Sequence, residues 1–180
     1  MEADMTKTLL MIIGISLTLS AVGNVLAADN AKAIFKDTKG KPIGTATLMQ
    51  TPNGVLIDAD LSSLPPGEHA FHIHQTGHCD ATDGFKSAGS HYTLKKREHS
   101  FKVENGPHEG DMPNQFVGAD GKLRLHAFNA AVSLLQGEST LVGGSGTALV
   151  VHAKADDYRS QPAGDAGDRI ACAVIERAGE

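Results

Sequence analysis

"TPNGVLIDADL", residues 51–61, decides how this chain folds. Val55, Ile57, Ala59 and Leu61 fall on one side of a period of two, and Leu56, Asp58 and Asp60 fall on the other. That alternation marks a β-strand with one face in a core and the other in water. Asn53-Gly54, just before it, is a strong hairpin signal. "KPIGTATLMQ", residues 41–50, stands upstream as the partner strand.

Working outward, residues 31–61 read as β throughout. "KLRLHAF" (122–128), "GTALVVH" (146–152) and "RIACAVI" (169–175) are further strand candidates. No segment after residue 27 has convincing helical periodicity. Several short strands separated by turn signals predict an all-β, antiparallel sandwich or barrel. Two stretches do not fit that pattern. Residues 75–115 hold no long strand or helix pattern, and residues 153–168, "AKADDYRSQPAGDAGD", read as a second, polar loop. Loops of such length need something besides apolar burial to order them. Metal ligation and a disulfide are the two candidates the chain offers.

The bulk properties are consistent with one domain. The chain has 180 residues, is 41% hydrophobic, has no Trp, and contains 20 Gly. Its formal charge of −5 argues against a nucleic-acid partner held through phosphates. Lys7 is followed by "TLLMIIGISLTLSAVG" (8–23), too short and too interrupted by Gly and Ser for a membrane span. Small residues at Val25, Ala27 and Ala28 then suit signal peptidase. Residues 1–27 read as a secretory signal and 28–180 as the folded domain, in a periplasmic or secreted protein. The alternative is an uncleaved anchor. "MEAD" is too acidic for a signal's first residues, so Met5 is a second candidate start. Removing Glu2, Asp4 and Lys7 takes the net charge from −5 to about −4. No cysteine follows the apolar run, so no lipid anchor is expected. Export makes a disulfide the favoured state of Cys79 and Cys172, with two free buried thiols as the alternative.

Nine histidines is a high count, and most lie between Glu68 and His108. In "EHAFHIH" (68–74), His72 and His74 share one strand face while Phe71 and Ile73 take the other. Two adjacent imidazoles form half of a metal site, and His152, at the end of another apolar strand, can add a third nitrogen. Imidazole suits copper and zinc alike. The long loop adds His91, His99, His108 and Asp111. Three imidazoles and a carboxylate satisfy tetrahedral zinc. "GPHEGDMP" (106–113) brings His108 and Asp111 into one local turn.

"FHIH", "SAGSHY", "GPHEGDMP", "VVHAKADDY" and "AGDRIAC" together closely resemble the copper–zinc superoxide dismutases, the secreted bacterial branch in particular. The resemblance runs from about Ala31 to the C-terminus. It implies an immunoglobulin-like, Greek-key β-sandwich or flattened barrel with two long functional loops, an architecture known for that family. It implies an oxidoreductase that dismutates superoxide to dioxygen and hydrogen peroxide through a copper ion cycling between two oxidation states. Copper would be held by His72, His74, His91 and His152, and zinc by His91, His99, His108 and Asp111, so that His91 bridges the two. Asp156 would link a ligand histidine of each metal, and Cys79 and Cys172 would match the family's disulfide. Arg169 would stand over the copper channel as the guanidinium that meets the anion. Lys86, Lys95, Lys96, Arg97, Lys154 and Arg159 are candidates for steering the anion, a behaviour known for this class.

Other histidines have simpler readings. His69 reads as a packed strand residue bonded to backbone, His126 as an ordinary strand position, and His78 as a solvated loop residue. The chain departs from the family's habits at three places: Ser90 before His91, Thr93-Leu94 after Tyr92, and Ser100 after His99. A serine in place of a glycine with positive φ would strain the zinc loop. Two functions compete with dismutation. A copper- and zinc-binding storage or carrier protein would need neither Arg169 nor a shared His91. Blue-copper electron transfer would need a thiolate ligand. The family includes monomers and dimers, and the sequence does not show which applies.

Overall fold

The hairpin expected around Asn53-Gly54 forms, with its turn displaced by one residue. In this computed structural model, which describes residues 30–179, Thr51 pairs with Gly54 and the two-residue loop is Pro52-Asn53. Gly54 is needed for another reason. A Cβ there would lie 2.4 Å from the carbonyl oxygen of Asn129 on the neighbouring strand. The leader expected over residues 1–27 lies outside the described residues.

Among the described residues, ten strands follow in chain order: β1 (Asn30–Asp37), β2 (Pro42–Thr51), β3 (Gly54–Leu61), β4 (Gly67–His69), β5 (Phe71–His74), β6 (Gln115–Val117), β7 (Leu123–Asn129), β8 (Ala148–His152), β9 (Arg169–Val174) and β10 (Glu176–Arg177). The main sheet runs β5-β8-β9-β1-β2-β3-β7, with β10 also on β1, and every pair in it is antiparallel. β9 returns to lie beside β1, which is the Greek-key step. The short ribbon β4-β6 continues straight into β5, so the sheet curls toward closure. These three-residue strands are too short to show a pattern in the sequence.

Alternation places the core where the sequence predicts. Val55, Ile57, Ala59 and Leu61 are buried with Phe35, Leu48, Phe71, Ile73, Leu123 and Leu149, while Asp58 and Asp60 face water. β5 is the exception that matters for function. All four residues of "FHIH" are buried, Phe71 and Ile73 in the core and His72 and His74 beneath the long loop. The loop covers the free edge of β5 in strand-like fashion. Gln75 N donates to Ser90 O at 2.9 Å, Tyr92 N to Ile73 O at 2.8 Å and Ile73 N to Gly110 O at 2.9 Å. Gly110 lies so close that a Cβ would sit 2.3 Å from Ile73 O.

Cys79 and Cys172 form a disulfide spanning 93 residues, tying the first half of the loop to β9. Two single-turn 3₁₀ segments, Ala81–Asp83 and Lys86–Ala88, order that half. Phe85 between them has a φ of 62° yet is fully buried. No helix among the described residues is long and apolar enough to cross a membrane.

Candidate metal centre

β5, β8 and the long loop bring one nitrogen each from His72, His74, His91 and His152 within 4.8 Å of one another, all four residues being buried. A second group, His72, His91, His99 and Asp111, meets the same limit. His72 and His91 belong to both groups. His91 reaches them through backbone that bridges to His74, and Asp111 through backbone that bridges to His72.

The two nitrogens of the His91 ring face different surroundings. Nδ1 donates to Asp111 Oδ1 at 2.8 Å, and Nε2 is buried without a partner. The same oxygen of Asp111 lies 3.0 Å from His99 Nδ1 and 3.4 Å from His108 Nδ1, neither aligned for a hydrogen bond. Three Nδ1 atoms thus focus on one carboxylate oxygen, which is the donor set tetrahedral zinc takes. His108 stands at the rim, its ring centroid 5.7 Å from that of His91, with Nε2 donating to Arg97 O at 3.1 Å. Asp111 Oδ2 is held by the backbone N–H groups of Ser100 (2.9 Å) and His108 (3.0 Å).

In the first group the free atoms also converge. His72 Nδ1 has no partner, and the Nε2 atoms of His74 and His152 face each other at 3.3 Å. A buried polar nitrogen without a partner is costly. Several of them turned toward one another fit a cation that would satisfy them all. Outer contacts hold the rings: His74 Nδ1 donates to Gly89 O at 2.9 Å, and His72 Nε2 to Asp156 Oδ2 at 3.1 Å. Asp156 Oδ2 is also 3.0 Å from His99 Nε2, so this carboxylate stands between one ring of each group. Such partners fix tautomer and orientation.

Burial and mutual repulsion keep His74, His91 and His152 neutral. Burial first, then the neighbouring His72, pushes the His152 pKa down to about 3. Burial likewise outweighs Asp111 and brings His91 down to about 4. His74 is also driven well below its usual value, chiefly by burial. His99 goes the other way. Burial opposes its charge, but Asp111 and Asp156 together raise it to about 9. Both carboxylates are held well below their usual range despite burial, Asp111 by the His91 hydrogen bond and the nearby His99 ring, and Asp156 by the His72 hydrogen bond and that same ring.

Above the first group opens a cleft of about 170 Å³ lined by His74, His91, His152, Arg169, Pro162 and Ala163, with Ser90 and Gly167 at its edge. The Arg169 guanidinium donates to Phe85 O (2.5 Å) and Gly89 O (2.6 Å). Its position therefore depends on the segment that the disulfide anchors. The remaining histidines stand apart from both groups. The His69 ring nitrogens each lie 2.8 Å from a carbonyl, those of His152 and Pro65. His126 is exposed, 3.7 Å from Asp58, and His78 is exposed in the loop.

Of the three departures from the family's habits, only Ser100 is strained, with a φ of 104°. Strain of this kind costs about 1–3 kcal/mol, and here the same backbone holds Asp111. Near Thr93-Leu94, Glu109 accepts from Leu94 N at 3.0 Å and pairs with Arg97 at 3.8 Å. Sequence reasoning missed Asn114, Gln161 and Gly164. Asn114 exchanges two hydrogen bonds with the Asp156 backbone, accepting from its N–H at 2.8 Å and donating to its carbonyl at 2.9 Å. Nothing in a periodicity or spacing singles these residues out.

Comparison with known proteins agrees with this geometry. The family model for copper/zinc superoxide dismutase matches residues 42–175. The chain is 49% identical over 140 residues to superoxide dismutase [Cu-Zn] 1 of Aquifex aeolicus, covering 77% of this chain and 82% of that one. A solved superoxide dismutase-like protein from Bacillus subtilis superposes with a TM-score of 0.76 at 34% identity, covering 79% of this chain and 96% of the other. The copper/zinc enzyme of Brucella abortus gives 0.67 at 28% identity, covering 82% and 100%. A buried ring shared by two donor groups, a Greek-key sheet that curls toward closure and this match across most of the chain place the protein in the copper/zinc superoxide dismutase family.

Proposed function

We propose that this protein converts two superoxide anions and two protons into dioxygen and hydrogen peroxide, with copper at His72, His74, His91 and His152 and zinc at His91, His99, His108 and Asp111. The observation that carries this reading is the His91 ring, one nitrogen turned to Asp111 and the other buried without a partner. When bound, copper supplies the one-electron couple and zinc the fixed charge that holds the shared ring. The protein's own residues do the rest. Arg169 offers a charge in the cleft lining to an anion that presents almost no contact area. Pro162 and Ala163 form part of the cleft wall. His91 Nε2, buried without a partner, would be the atom placed to hold a proton for the product.

The chain is read as an exported protein, periplasmic or secreted, because a disulfide persists in oxidising compartments and the sequence opens with a signal-like run. It would act without a membrane anchor. A homodimer is supported by an apolar row across the outer sheet face, where Met49 pairs with Leu56 and Leu56 with Phe128. Sedimentation of the wild type beside Phe128→Lys tests that: a monomer in both excludes it.

The test of function is superoxide removal by protein reconstituted with both metals, beside His91→Ala and Arg169→Ala. Dismutation that collapses in His91→Ala and weakens in Arg169→Ala supports the reading. Fully loaded wild-type protein without turnover overturns it in favour of metal storage or transport.

A further inference from the structure

His99 is fully buried between Asp111 and Asp156, and its backbone is held from the other long loop. Its N–H donates to Gln161 Oε1 at 2.9 Å, and its carbonyl accepts from Gln161 Nε2 at 2.8 Å. One side-chain amide, 62 residues away, makes both bonds that a neighbouring strand would make. The segment after Gln161 does two things at once. Pro162 and Ala163 line the cleft over His74, His91, His152 and Arg169. Gly164 presses on the second donor group, where a Cβ would lie 1.8 Å from Asp156 Oδ1 and 2.9 Å from His99 Nε2. The turn is closed by Gly164 N donating to Ser160 O at 2.7 Å and by Asp157 N donating to Gly164 O at 2.9 Å.

We propose that Gln161 is a positioning residue, a latch that makes the wall of the cleft depend on how His99 is seated. This rests on reading His99 as a ligand of the zinc site. Gln161 is itself exposed and gains little from burial, so hydrogen bonds hold it: the pair to His99 and a longer one from Nε2 to Arg159 O at 3.3 Å. The two bonds fix both the position and the tilt of the His99 backbone, as a single bond could not. A shift of His99 toward or away from Asp111 then moves the attachment of Pro162 and Ala163. Access of a small anion to the first donor group is thereby coupled to occupancy of the second.

Two substitutions separate the latch from mere bulk. Gln161→Met keeps length and removes both bonds. Gln161→Glu keeps the acceptor for His99 N–H, loses the donor, and sets a charged oxygen against the His99 carbonyl. Amide exchange on the metal-free protein reads the latch directly. The His99 and Gly164 amides should exchange at least about tenfold faster in Gln161→Met, with the amides of β1, β2 and β3 unchanged. In the wild type, added zinc should slow exchange at Ala163 and Gly164, and in Gln161→Met that slowing should vanish. Competition against a chromophoric chelator should show zinc held about tenfold more weakly in Gln161→Met, with part recovered in Gln161→Glu. Cobalt bound in place of zinc should show a shifted visible spectrum in Gln161→Met. Unchanged His99, Ala163 and Gly164 exchange in metal-free Gln161→Met overturns the latch, whatever the metals do. A wild type with the latch intact by exchange that nonetheless binds zinc without removing superoxide counts against the proposed function and leaves the latch supported.

Discussion

His91 Nδ1 stands 2.8 Å from Asp111 Oδ1, and the Nε2 of the same ring is buried with nothing to bond to. One imidazole therefore has a finished side and an unfinished one. The finished side belongs to a carboxylate that three Nδ1 atoms face at 2.8, 3.0 and 3.4 Å. Asp111→Asn keeps the shape and removes the charge on which that cluster is built. We expect zinc affinity to fall at least about 100-fold, with copper binding at the first group much less affected. Metal content after chelator competition checks this, and equal loss of both metals contradicts it.

The metal-free fold should be most stable near pH 6.5. His91 titrates at about 4 and His152 at about 3 in the fold, against about 6.5 in an open chain. As pH drops through that interval, the unfolded chain takes up protons that the native fold refuses, and stability falls. His99, raised to about 9, acts in the opposite sense. Its contribution is complete below about 6.5 and is lost as pH rises through about 9. Thermal unfolding of chelator-treated protein from pH 3 to 9 should give a maximum, and a midpoint that climbs steadily from pH 7 to 9 is inconsistent with this assignment.

Gly110→Ala should disrupt the site from a position that contacts no proposed ligand ring. Its Cβ would sit 2.3 Å from Ile73 O and 3.0 Å from Tyr92 N, both backbone atoms that cannot rotate away. The neighbouring Asp111 must move with it. We expect a loss of about 1–3 kcal/mol from overpacking together with weakened zinc binding. Denaturant unfolding and chelator competition measure the two effects.

Removing the disulfide should cost stability and free an arginine. The link closes a span of 93 residues, for which chain entropy gives about 4–5 kcal/mol. It also anchors the segment whose carbonyls, on Phe85 and Gly89, hold Arg169. The double substitution Cys79→Ala with Cys172→Ala should lower the denaturant midpoint and reduce superoxide turnover in the fraction that remains folded. Unaltered turnover there would show that Arg169 does not depend on the link.

Turnover should fall as salt rises. The chain carries a formal charge of −5, so attraction of an anion depends on local cations such as Arg169 in the cleft and exposed Lys86 and Arg159. Screening shortens their reach to about 8 Å at physiological ionic strength. Stopped-flow rates between 10 and 300 mM salt (roughly a sixfold change in Debye length) would be flat if steering plays no part. Arg169→Ala should lower the rate and flatten its salt dependence together.

The alternation of Val55, Ile57, Ala59 and Leu61 was sufficient to specify a strand, its buried face and the class of the fold, because a period of two is a local property of extended backbone. The pairing of His72 with His74 on one face of β5 was legible for the same reason. The family motifs named His91, His99, His108, His152, Asp111 and Asp156, but only the tertiary structure decided how those side chains meet. His91, Asp111, Asp156 and Gln161 come from segments with no pattern of their own and meet only because the loops lie across the edge of β5 and against each other. Likewise the need for glycine at 110 arises from a strand distant in sequence, and Ser100 is strained where Ser90 is not. Sequence spacing records which donors a chain carries. The direction in which each nitrogen points is set by packing between segments far apart along the chain, and no local periodicity encodes it.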